Sequence, residues 1–473
     1  MHNKQQTQLH FVGIGGIGMS GIAEVLLNQG YQISGSDLAE SEATRRLKSL
    51  GARIHLGHTA ENIMGAHVVV ISSAVKATNP EVMKARESRI PVIPRAEMLG
   101  ELMRGKVGIA VAGTHGKTTT TSLLASVLMA AGLDPTIVIG GKVGALGSNA
   151  KLGQGQLVVA EADESDGSFL HLPATFGIVT NIDSDHLDHF GTLEAIEETF
   201  SEFIGQLPFY GLAAVCGDDE GVRRCLSRFH KPFLTYGFSD YNDYFAKAVT
   251  SVPGNEMHSR FEVHSRNEGL LGSIEIQVPG RHNILNALAA IVIARRLEIP
   301  FSKIAQGLRD FSGVKRRFDI RWKNESLQQI IVDDYGHHPT EVLATLAAAR
   351  SFWKGRIITI FQPHRYSRTQ NSYAEFLKCF KDTDLLYLAD IYAAGEEPIA
   401  GVSSEILARD IMISAGKSVL YVGPLQGARD AVVKDFRKGD LVLCLGAGTI
   451  TKLPDLLVEA IEVAAAVAAS HVS

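Results

Sequence analysis

The segment Gly113-Thr114-His115-Gly116-Lys117-Thr118-Thr119 carries residue types that bind the phosphates of a nucleotide. Backbone N–H groups at a helix start favour anions, a lysine neutralises β- and γ-phosphate oxygens, and a threonine hydroxyl can ligate Mg²⁺. A strand-like run at 107–111 precedes the segment, and residues 119–131 after it have helical character. The pattern G-x-x-x-x-G-K-[ST] is incomplete, since Val111 stands where the first glycine would be. We therefore predict a shortened phosphate-binding loop whose ligand is ATP.

A second glycine-rich loop, Gly13-Ile14-Gly15-Gly16-Ile17-Gly18, lies near the start of the chain. It follows a strand pattern at 9–12 and opens a helix pattern that ends near Asn28. Asp37 stands about 20 positions further on, as in dinucleotide-binding β-α-β units. Such a loop places a pyrophosphate at a helix N-terminus. Because NAD and UDP-sugars both carry a pyrophosphate, the loop alone leaves both ligands open.

Two later strand patterns end in groups that suit metal and phosphate chemistry. The apolar run 157–160 leads into the acidic segment 161–166, which begins with Glu161, and the run 176–180 is followed by Asp185 and His186. Ligands of parallel α/β sheets bind at the carboxyl ends of strands, so we expect both clusters near the bound phosphates. A solvated acidic loop and an ordinary core or surface histidine are the alternatives. The position after a strand favours Glu161 as a carboxylate that organises Mg²⁺.

Asn283 and Asn286 open a strongly helical segment that ends near Leu297. Residues three positions apart share a helix face, so both amides could reach one adenine or ribose. Simple capping of the helix N-terminus explains the pattern equally well.

A third region, from about Gly313, repeats the arrangement of polar groups after strands. The strand pattern 329–332 leads into Asp333-Asp334-Tyr335-Gly336-His337-His338-Pro339-Thr340-Glu341. The paired histidines admit a zinc site, but no third ligand stands at a suitable spacing.

Arg365 and Arg368 follow the next strand pattern, 356–361. Two guanidinium groups one helical turn apart at a strand end suit the capture of a carboxylate. Ordinary surface charges are the alternative.

Length and composition describe a multidomain enzyme with small-molecule partners. At roughly 100–200 residues per domain, the 473 residues predict about three domains. The formal charge of -5 and the lack of a long Lys/Arg run argue against nucleic-acid binding. No apolar stretch of about 20 residues indicates a membrane span, and the N-terminal residues lack a secretory pattern. The four cysteines show no C-x-x-C spacing, so we expect a reducing cytoplasm.

The strand and helix patterns place the domain boundaries. Further strand patterns at 67–72 and 89–93 continue a doubly wound first domain, and a connecting helix is expected over 95–104. The predicted domains are therefore 1–103, 104–313 and 314–473.

Taken in order, these motifs resemble those of the Mur ligases along nearly the whole chain. The resemblance implies an α/β fold of three domains: a Rossmann-like UDP-substrate domain, a central P-loop ATPase domain with a mainly parallel sheet, and a C-terminal Rossmann-like domain that binds an amino acid. It implies the cytoplasmic, ATP- and Mg²⁺-dependent ligation of L-alanine to the lactyl carboxylate of UDP-N-acetylmuramate through an acyl phosphate. ADP and phosphate are the other products, and the reaction belongs to the synthesis of peptidoglycan precursors.

The resemblance also implies roles for individual residues. Those that organise Mg²⁺ are Thr118, Glu161 and His186, and the catalytic residues are Lys117, Glu161 and His186. The nucleotide is expected to contact Gly113, Thr114, His115, Gly116, Lys117, Thr118, Thr119, Asn283, Asn286 and Asp334. The UDP-sugar is expected to contact Gly15, Gly16, Gly18, Asp37, Ser72 and His115. The amino acid is expected to contact Tyr335, His337, Arg365 and Arg368.

Two other functions are considered. One is the recycling branch of the same family, which adds a preformed tripeptide to the same UDP-sugar; the Tyr335-Gly336 pair and the Gly13 loop resemble the alanine-adding branch more closely. The other is an NAD-dependent oxidoreductase built on the Gly13 loop, which would give no reason for the Lys117 loop. We expect a monomer or a weak homodimer.

Overall fold

A computed structural model of the chain describes residues 4–143, 148–165, 167–252 and 255–470. These residues form two compact units. The first runs up to Thr250 and includes Arg260–Gln277 and Asn283–Ser312; the second comprises Ser251–Ser259, Val278–His282 and the chain from Gly313 onward. The first unit contains the first sheet and most of the central sheet, and the second unit contains the third sheet.

The first sheet has five parallel strands in the order β3-β2-β1-β4-β5. Its strands are β1 (Gln8–Val12), β2 (Gln32–Asp37), β3 (Arg53–Leu56), β4 (Val68–Ile71) and β5 (Val92–Pro94). Its helices are α1 (Ile17–Asn28), α2 (Glu42–Ser49), α3 (Pro80–Glu87) and α4 (Arg95–Met103). The strand order reverses between β1 and β4, so the glycine loop after β1 lies at the switch point where α/β sheets bind ligands.

All five residues of β1, the central strand of this sheet, are buried, the polar Gln8 and His10 included, because both faces of the sheet are covered. Successive residues of a strand point to opposite faces. Accordingly, Phe11 packs in the cluster that contains Ile22 of α1, whereas Val12 packs in the cluster that contains Ala85 of α3.

The central sheet has ten strands in the order β15-β14-β13-β12-β11-β10-β6-β9-β7-β8. They are β6 (Val107–Ala112), β7 (Thr136–Val143), β8 (Ser148–Lys151), β9 (Leu157–Glu161), β10 (Phe176–Val179), β11 (Leu212–Cys216), β12 (Phe233–Gly237), β13 (Tyr244–Val252), β14 (Asn255–Ser265) and β15 (Gly269–Ile276). The helices are α5 (Lys117–Ala130), α6 (Leu187–Phe190), α7 (Leu193–Gly205), α8 (Glu220–Cys225), α9 (Arg281–Arg296) and α10 (Phe301–Arg309). From β13 to β7 the neighbouring strands are parallel, so β6, β9 and β10 direct their carboxyl ends to one edge.

The third sheet has six strands in the order β16-β17-β21-β18-β19-β20, and only β16 is antiparallel to its neighbour. They are β16 (Asp319–Asn324), β17 (Gln329–Asp334), β18 (Arg356–Phe361), β19 (Leu385–Ala389), β20 (Ser418–Gly423) and β21 (Asp440–Leu445). The helices are α11 (Pro339–Phe352), α12 (Tyr366–Asn371), α13 (Tyr373–Phe376), α14 (Ser404–Ala415), α15 (Leu425–Asp435) and α16 (Leu453–Ser470). Separate apolar clusters cover its two faces, as a parallel sheet requires.

The fold class predicted from the sequence is confirmed: the chain is α/β, with three sheets and a mainly parallel central sheet. One predicted strand, at 89–93, is wrong at its start. Arg89 adopts a left-handed backbone, φ 58°, and closes the turn after α3, so β5 begins only at Val92. Within the described residues, none of the helices combines the length and apolar character needed to cross a membrane.

Candidate active site

The loop between β6 and α5 forms a tight turn at the carboxyl end of the central sheet. Gly113 and Gly116 have positive φ angles, 130° and 83°. A Cβ atom at Gly113 would lie 2.0 Å from the Thr180 hydroxyl, and one at Gly116 would lie 2.7 Å from the Asn286 side-chain oxygen. The glycines therefore permit both the backbone conformation and the close approach of neighbouring elements.

The end of β10 holds this loop in place. Asn181 accepts a hydrogen bond from the backbone N–H of His115 at 2.8 Å and donates one to the His115 carbonyl at 3.0 Å. Thr180 donates to the same carbonyl at 2.6 Å. The His115 ring lies 3.2 Å from Asp183, measured from Nε2 to Oδ2.

Lys117 is the first residue of α5, and its ammonium group is directed back into the loop. Its Nζ donates to the carbonyls of Gly113 at 2.7 Å and Thr114 at 3.1 Å, and to Glu164 Oε1 at 2.7 Å. Burial alone would lower the pKa of Lys117. The nearby carboxylates of Glu164 and Glu161 have the larger combined effect, so the pKa of Lys117 is raised above its usual value. Lys117 is therefore a protonated, positively charged group in this loop.

Glu164 is the buried partner of that lysine. Its side chain is 3% exposed, and burial raises its pKa to about 7 against the attraction of Lys117. It was part of the acidic segment noted in the sequence, but no pattern identified it as the partner of Lys117.

Thr118 and Glu161 form a direct contact between α5 and the end of β9. The Thr118 hydroxyl lies 3.0 and 3.1 Å from the two carboxylate oxygens of Glu161. The backbone N–H of Gly140 donates to the same carboxylate at 2.7 Å. A hydroxyl and a carboxylate supply the hard oxygen atoms that Mg²⁺ prefers.

His186 adopts a left-handed backbone, φ 59°, immediately before α6. Its Nε2 lies 3.8 Å from Glu164 Oε1 and 3.8 Å from Asp185 Oδ2. The structure thus brings His186 to the carboxylate that binds Lys117.

Asn283 and Asn286 lie inside α9, which begins at Arg281, so neither residue caps the helix N-terminus. The Asn286 amide donates to Asn283 Oδ1 at 3.2 Å. The Asn286 side chain lies close to Gly116. The predicted shared face is confirmed, and it lies next to the loop between β6 and α5.

In the first glycine loop, Asp37 binds the backbone. Asp37 accepts a hydrogen bond from the Gly15 N–H at 2.8 Å, and Gly16 is the N-cap of α1. Ser72 lies just beyond β4, half-buried. These residues all lie at the carboxyl edge of the first sheet.

Arg95, at the start of α4, lies beside the first glycine loop. It was not identified from the sequence as a site residue. A Cβ atom at Gly18 would lie 3.0 Å from the Arg95 guanidinium group, which also pairs with Asp163 at 2.8 Å. Asp163 stands in the loop after β9. Arg95 therefore joins the glycine loop of the first sheet to the acidic segment of the central sheet.

In the second unit, Asp334 ends β17 and binds backbone groups. Its carboxylate accepts from the N–H groups of Phe318 and Gly336, both at 2.7 Å. Burial raises its pKa. Its predicted contact with the nucleotide stays a prediction.

Tyr335, His337 and His338 follow in the same loop. The guanidinium groups of Arg316 and Arg317 lie 4.8 and 5.0 Å from the centre of the Tyr335 ring. His337 lies 3.2 Å from Glu341. His338 is the N-cap of α11, and its Nδ1 accepts a hydrogen bond from the Thr340 N–H at 3.4 Å.

Arg365 is the N-cap of α12, and Arg368 lies within that helix. Arg365 has a left-handed backbone, φ 70°, and its N–H donates to the Tyr392 carbonyl at 2.8 Å. Arg368 contacts His364 at 3.2 Å. Burial and the two arginines lower the pKa of His364 to about 4, so this imidazole is neutral near pH 7.

Glu396 supports this turn and was not identified from the sequence. Its carboxylate accepts from the Ser367 N–H at 3.0 Å and from the Ser367 hydroxyl at 2.6 Å, and it lies 3.9 Å from Arg365 Nε. It therefore fixes the first turn of α12 beside Arg365.

Comparison with known proteins covers all three regions. A family model for the Mur ligase family, catalytic domain, matches residues 8–107; one for the Mur ligase middle domain matches 111–294; and one for the Mur ligase, glutamate ligase domain, matches 316–448.

Relatives match along almost their full length. The chain is 53% identical over 454 residues to the UDP-N-acetylmuramate–L-alanine ligase of Trichlorobacter lovleyi, covering 96% of this chain and 98% of that protein. It is 54% identical over 458 residues to the enzyme of the same name from Anaeromyxobacter dehalogenans, with 97% and 98% coverage.

Solved structures show the same fold. The UDP-N-acetylmuramate-alanine ligase MurC from Thermotoga maritima superposes with a TM-score of 0.82 at 29% identity, covering 97% of this chain and 99% of that one. A murein peptide ligase from Psychrobacter arcticus gives a TM-score of 0.70 at 23% identity, with 96% and 98% coverage, which shows the shared fold alone. Three family models and relatives that share more than half of its residues establish that this chain belongs to the Mur ligase family.

Proposed function

We propose that this chain joins L-alanine to the lactyl carboxylate of UDP-N-acetylmuramate, with ATP converted to ADP and phosphate, in the synthesis of peptidoglycan precursors. Mur ligases are ATP-dependent, and the relatives that match at 53% identity carry the name of this activity. The observation that carries the chemistry is the Thr118–Glu161 contact directly beside Lys117.

The first step is phosphoryl transfer. A lactyl carboxylate oxygen attacks the γ-phosphorus of ATP; the new O–P bond forms as the bond to the ADP oxygen breaks, and the product is an acyl phosphate. The reactants are both anions, so positive charge has to offset their repulsion. Lys117, held protonated in the loop, supplies one such charge.

Mg²⁺ fits the oxygen donors at Thr118 and Glu161, and His186 is the third proposed ligand. When bound, the ion would offset the charge of the γ-phosphate oxygens. The Gly140 N–H and the Thr118 hydroxyl keep the Glu161 carboxylate in one orientation.

The second step is attack of the L-alanine amine on the acyl carbon. A C–N bond forms, the tetrahedral intermediate collapses, and the C–O bond to phosphate breaks; the amine proton leaves to solvent or phosphate. Arg365 and Arg368 are proposed to bind the carboxylate of L-alanine, with Tyr335 and His337 beside it. Planar guanidinium groups suit that carboxylate.

The remaining substrate contacts are proposed from the resemblance to the Mur ligases. The phosphates of ATP are assigned to the loop residues Gly113, Thr114, His115, Gly116, Lys117, Thr118 and Thr119. Asn283, Asn286 and Asp334 are assigned to the rest of the nucleotide. The UDP-sugar is assigned to Gly15, Gly16, Gly18, Asp37, Ser72 and His115. Family membership favours a UDP-sugar over NAD at this first loop.

Three further properties complete the proposal. The domains are 1–103, 104–313 and 314–473, supported by the positions of the three sheets and of the matched family models. The enzyme acts in the cytoplasm, where its nucleotide substrates occur. It is a monomer or a weak homodimer.

Mass spectrometry of a reaction with UDP-N-acetylmuramate, ATP, Mg²⁺ and L-alanine tests the proposal. The expected product is UDP-N-acetylmuramate extended by one alanine, formed only with all components. Extension by a tripeptide in preference to alanine would instead support the recycling function.

A further inference from the structure

Lys117 has three N–H donors, and each has an acceptor within the chain. Two donors bind the loop carbonyls of Gly113 and Thr114, at 2.7 and 3.1 Å, and the third binds Glu164 Oε1 at 2.7 Å. A phosphate oxygen that binds this lysine therefore has to replace an acceptor. The carbonyls belong to the loop itself. The Glu164 carboxylate, when ionised, can instead be replaced by a phosphate oxygen, which leaves Lys117 with an anionic partner.

Glu164 depends on Lys117 for its own stabilisation. Its side chain is 3% exposed, and its Oε2 has no hydrogen-bond partner among the residues that the structure describes. Its Oε1 also lies 3.8 Å from His186 Nε2. A buried carboxylate with one unsatisfied oxygen is costly unless a cation lies beside it. Glu164 therefore competes strongly with any other anion for Lys117.

We infer that Glu164 competes with the nucleotide phosphates for Lys117 and is displaced from the lysine when a nucleotide binds. This inference rests on the proposed function, because it takes Lys117 as the ligand of the ATP phosphates. Glu164 is thus a positioning residue that weakens nucleotide binding by competition. The same competition favours the release of ADP, because the ion pair between Glu164 and Lys117 forms again when the nucleotide leaves.

Glu164→Gln tests this role, because glutamine keeps the shape of the side chain and loses its charge. Isothermal titration calorimetry of the full chain would measure the Kd of ATP and of ADP, each with Mg²⁺ and with a chelator. A charge-assisted hydrogen bond is worth enough that we expect both nucleotides to bind about tenfold more tightly to the variant.

Two variants serve as controls. Asp163→Asn removes one negative charge from the same loop, but Asp163 pairs with Arg95, so its Kd for ATP should stay within about threefold of the wild type. Lys117→Ala should lose most of the affinity for ATP. Thermal unfolding of each variant reports whether the fold is kept.

The outcomes separate the inference from the function on which it rests. If Lys117→Ala weakens ATP binding but Glu164→Gln leaves it unchanged or equal to Asp163→Asn, the inference is overturned and the ATP site stands. Weaker binding to Glu164→Gln, with or without Mg²⁺, would show that Glu164 supports the nucleotide or the ion, and would also overturn it. If the wild type and Lys117→Ala bind ATP equally, both the site and the inference fail.

Discussion

Thr118 and Glu161 stand 43 positions apart in the sequence, yet the Thr118 hydroxyl lies 3.0 and 3.1 Å from the two oxygens of the Glu161 carboxylate. The contact joins the first turn of α5 to the end of β9, next to Lys117. It places two oxygen ligands of the type that Mg²⁺ prefers at the edge of the sheet where phosphates are expected.

Removal of the Thr118 hydroxyl should therefore weaken Mg²⁺ binding at the proposed site. We expect Thr118→Ala to raise the Mg²⁺ concentration for half-maximal activity about tenfold or more, since it removes a proposed ligand and a hydrogen bond to the Glu161 carboxylate. Thr118→Ser retains the hydroxyl and should stay within about threefold of the wild type. Equal Mg²⁺ dependence in the two variants would show that the hydroxyl has no part in metal binding.

Arg365→Ala should act on the amino acid and spare the nucleotide. Loss of a charge-assisted contact with a carboxylate predicts a KM for L-alanine about 10 to 100 times higher. The KM for ATP should change by less than about threefold. Arg429→Ala is a suitable control, because Arg429 pairs with its neighbour Asp430 on α15. Steady-state kinetics with one substrate varied at a time would decide, and a larger effect on ATP would refute this role.

Glu396→Gln should reproduce part of that effect without altering a group proposed to touch substrate. Glu396 fixes Ser367 at 2.6 and 3.0 Å and lies beside Arg365, so its loss should loosen the turn that presents the guanidinium. We expect the KM for L-alanine to rise about fivefold while kcat changes little. Glu397→Gln, at the exposed neighbouring position, should match the wild type. An effect of the same size in both variants would contradict the positioning role.

His282 should lower the free energy of unfolding as the pH falls below about 6.5. Burial, with a smaller contribution from Arg317, lowers its pKa from 6.5 to about 4. Between these values a proton binds the unfolded chain and not the folded one, so the free energy of unfolding falls as the pH falls through this range. His282→Gln should remove about 1 to 2 kcal/mol of the loss between pH 7 and pH 5. Urea unfolding at both pH values measures it, with the exposed His230→Gln as control; equal losses in both variants would exclude His282 as the cause.

The parts of the site that the sequence predicted are those set by local pattern. The predicted phosphate-binding loop follows a strand and starts a helix, as expected, because its glycines and the apolar runs beside it determine the turn. Asn283 and Asn286 share a face because helical spacing alone requires it.

The residues that the sequence did not reveal act through tertiary contacts. Glu164, Arg95 and Glu396 reach Lys117, Asp163 and Ser367 respectively, and each pair is brought together by the path of a loop. No spacing rule connects such positions. Likewise, the start of β5 depends on the left-handed turn at Arg89, a conformation that its residue type does not predict.

The proposed reaction couples ATP cleavage to the addition of L-alanine. The most direct measurement is phosphate release from ATP in the presence of Mg²⁺ and UDP-N-acetylmuramate, with L-alanine, glycine, tripeptide or no amine added. We expect phosphate release that requires both the UDP-sugar and an amine and is fastest with L-alanine. Faster release with tripeptide than with L-alanine, or release that does not depend on the UDP-sugar, would contradict it.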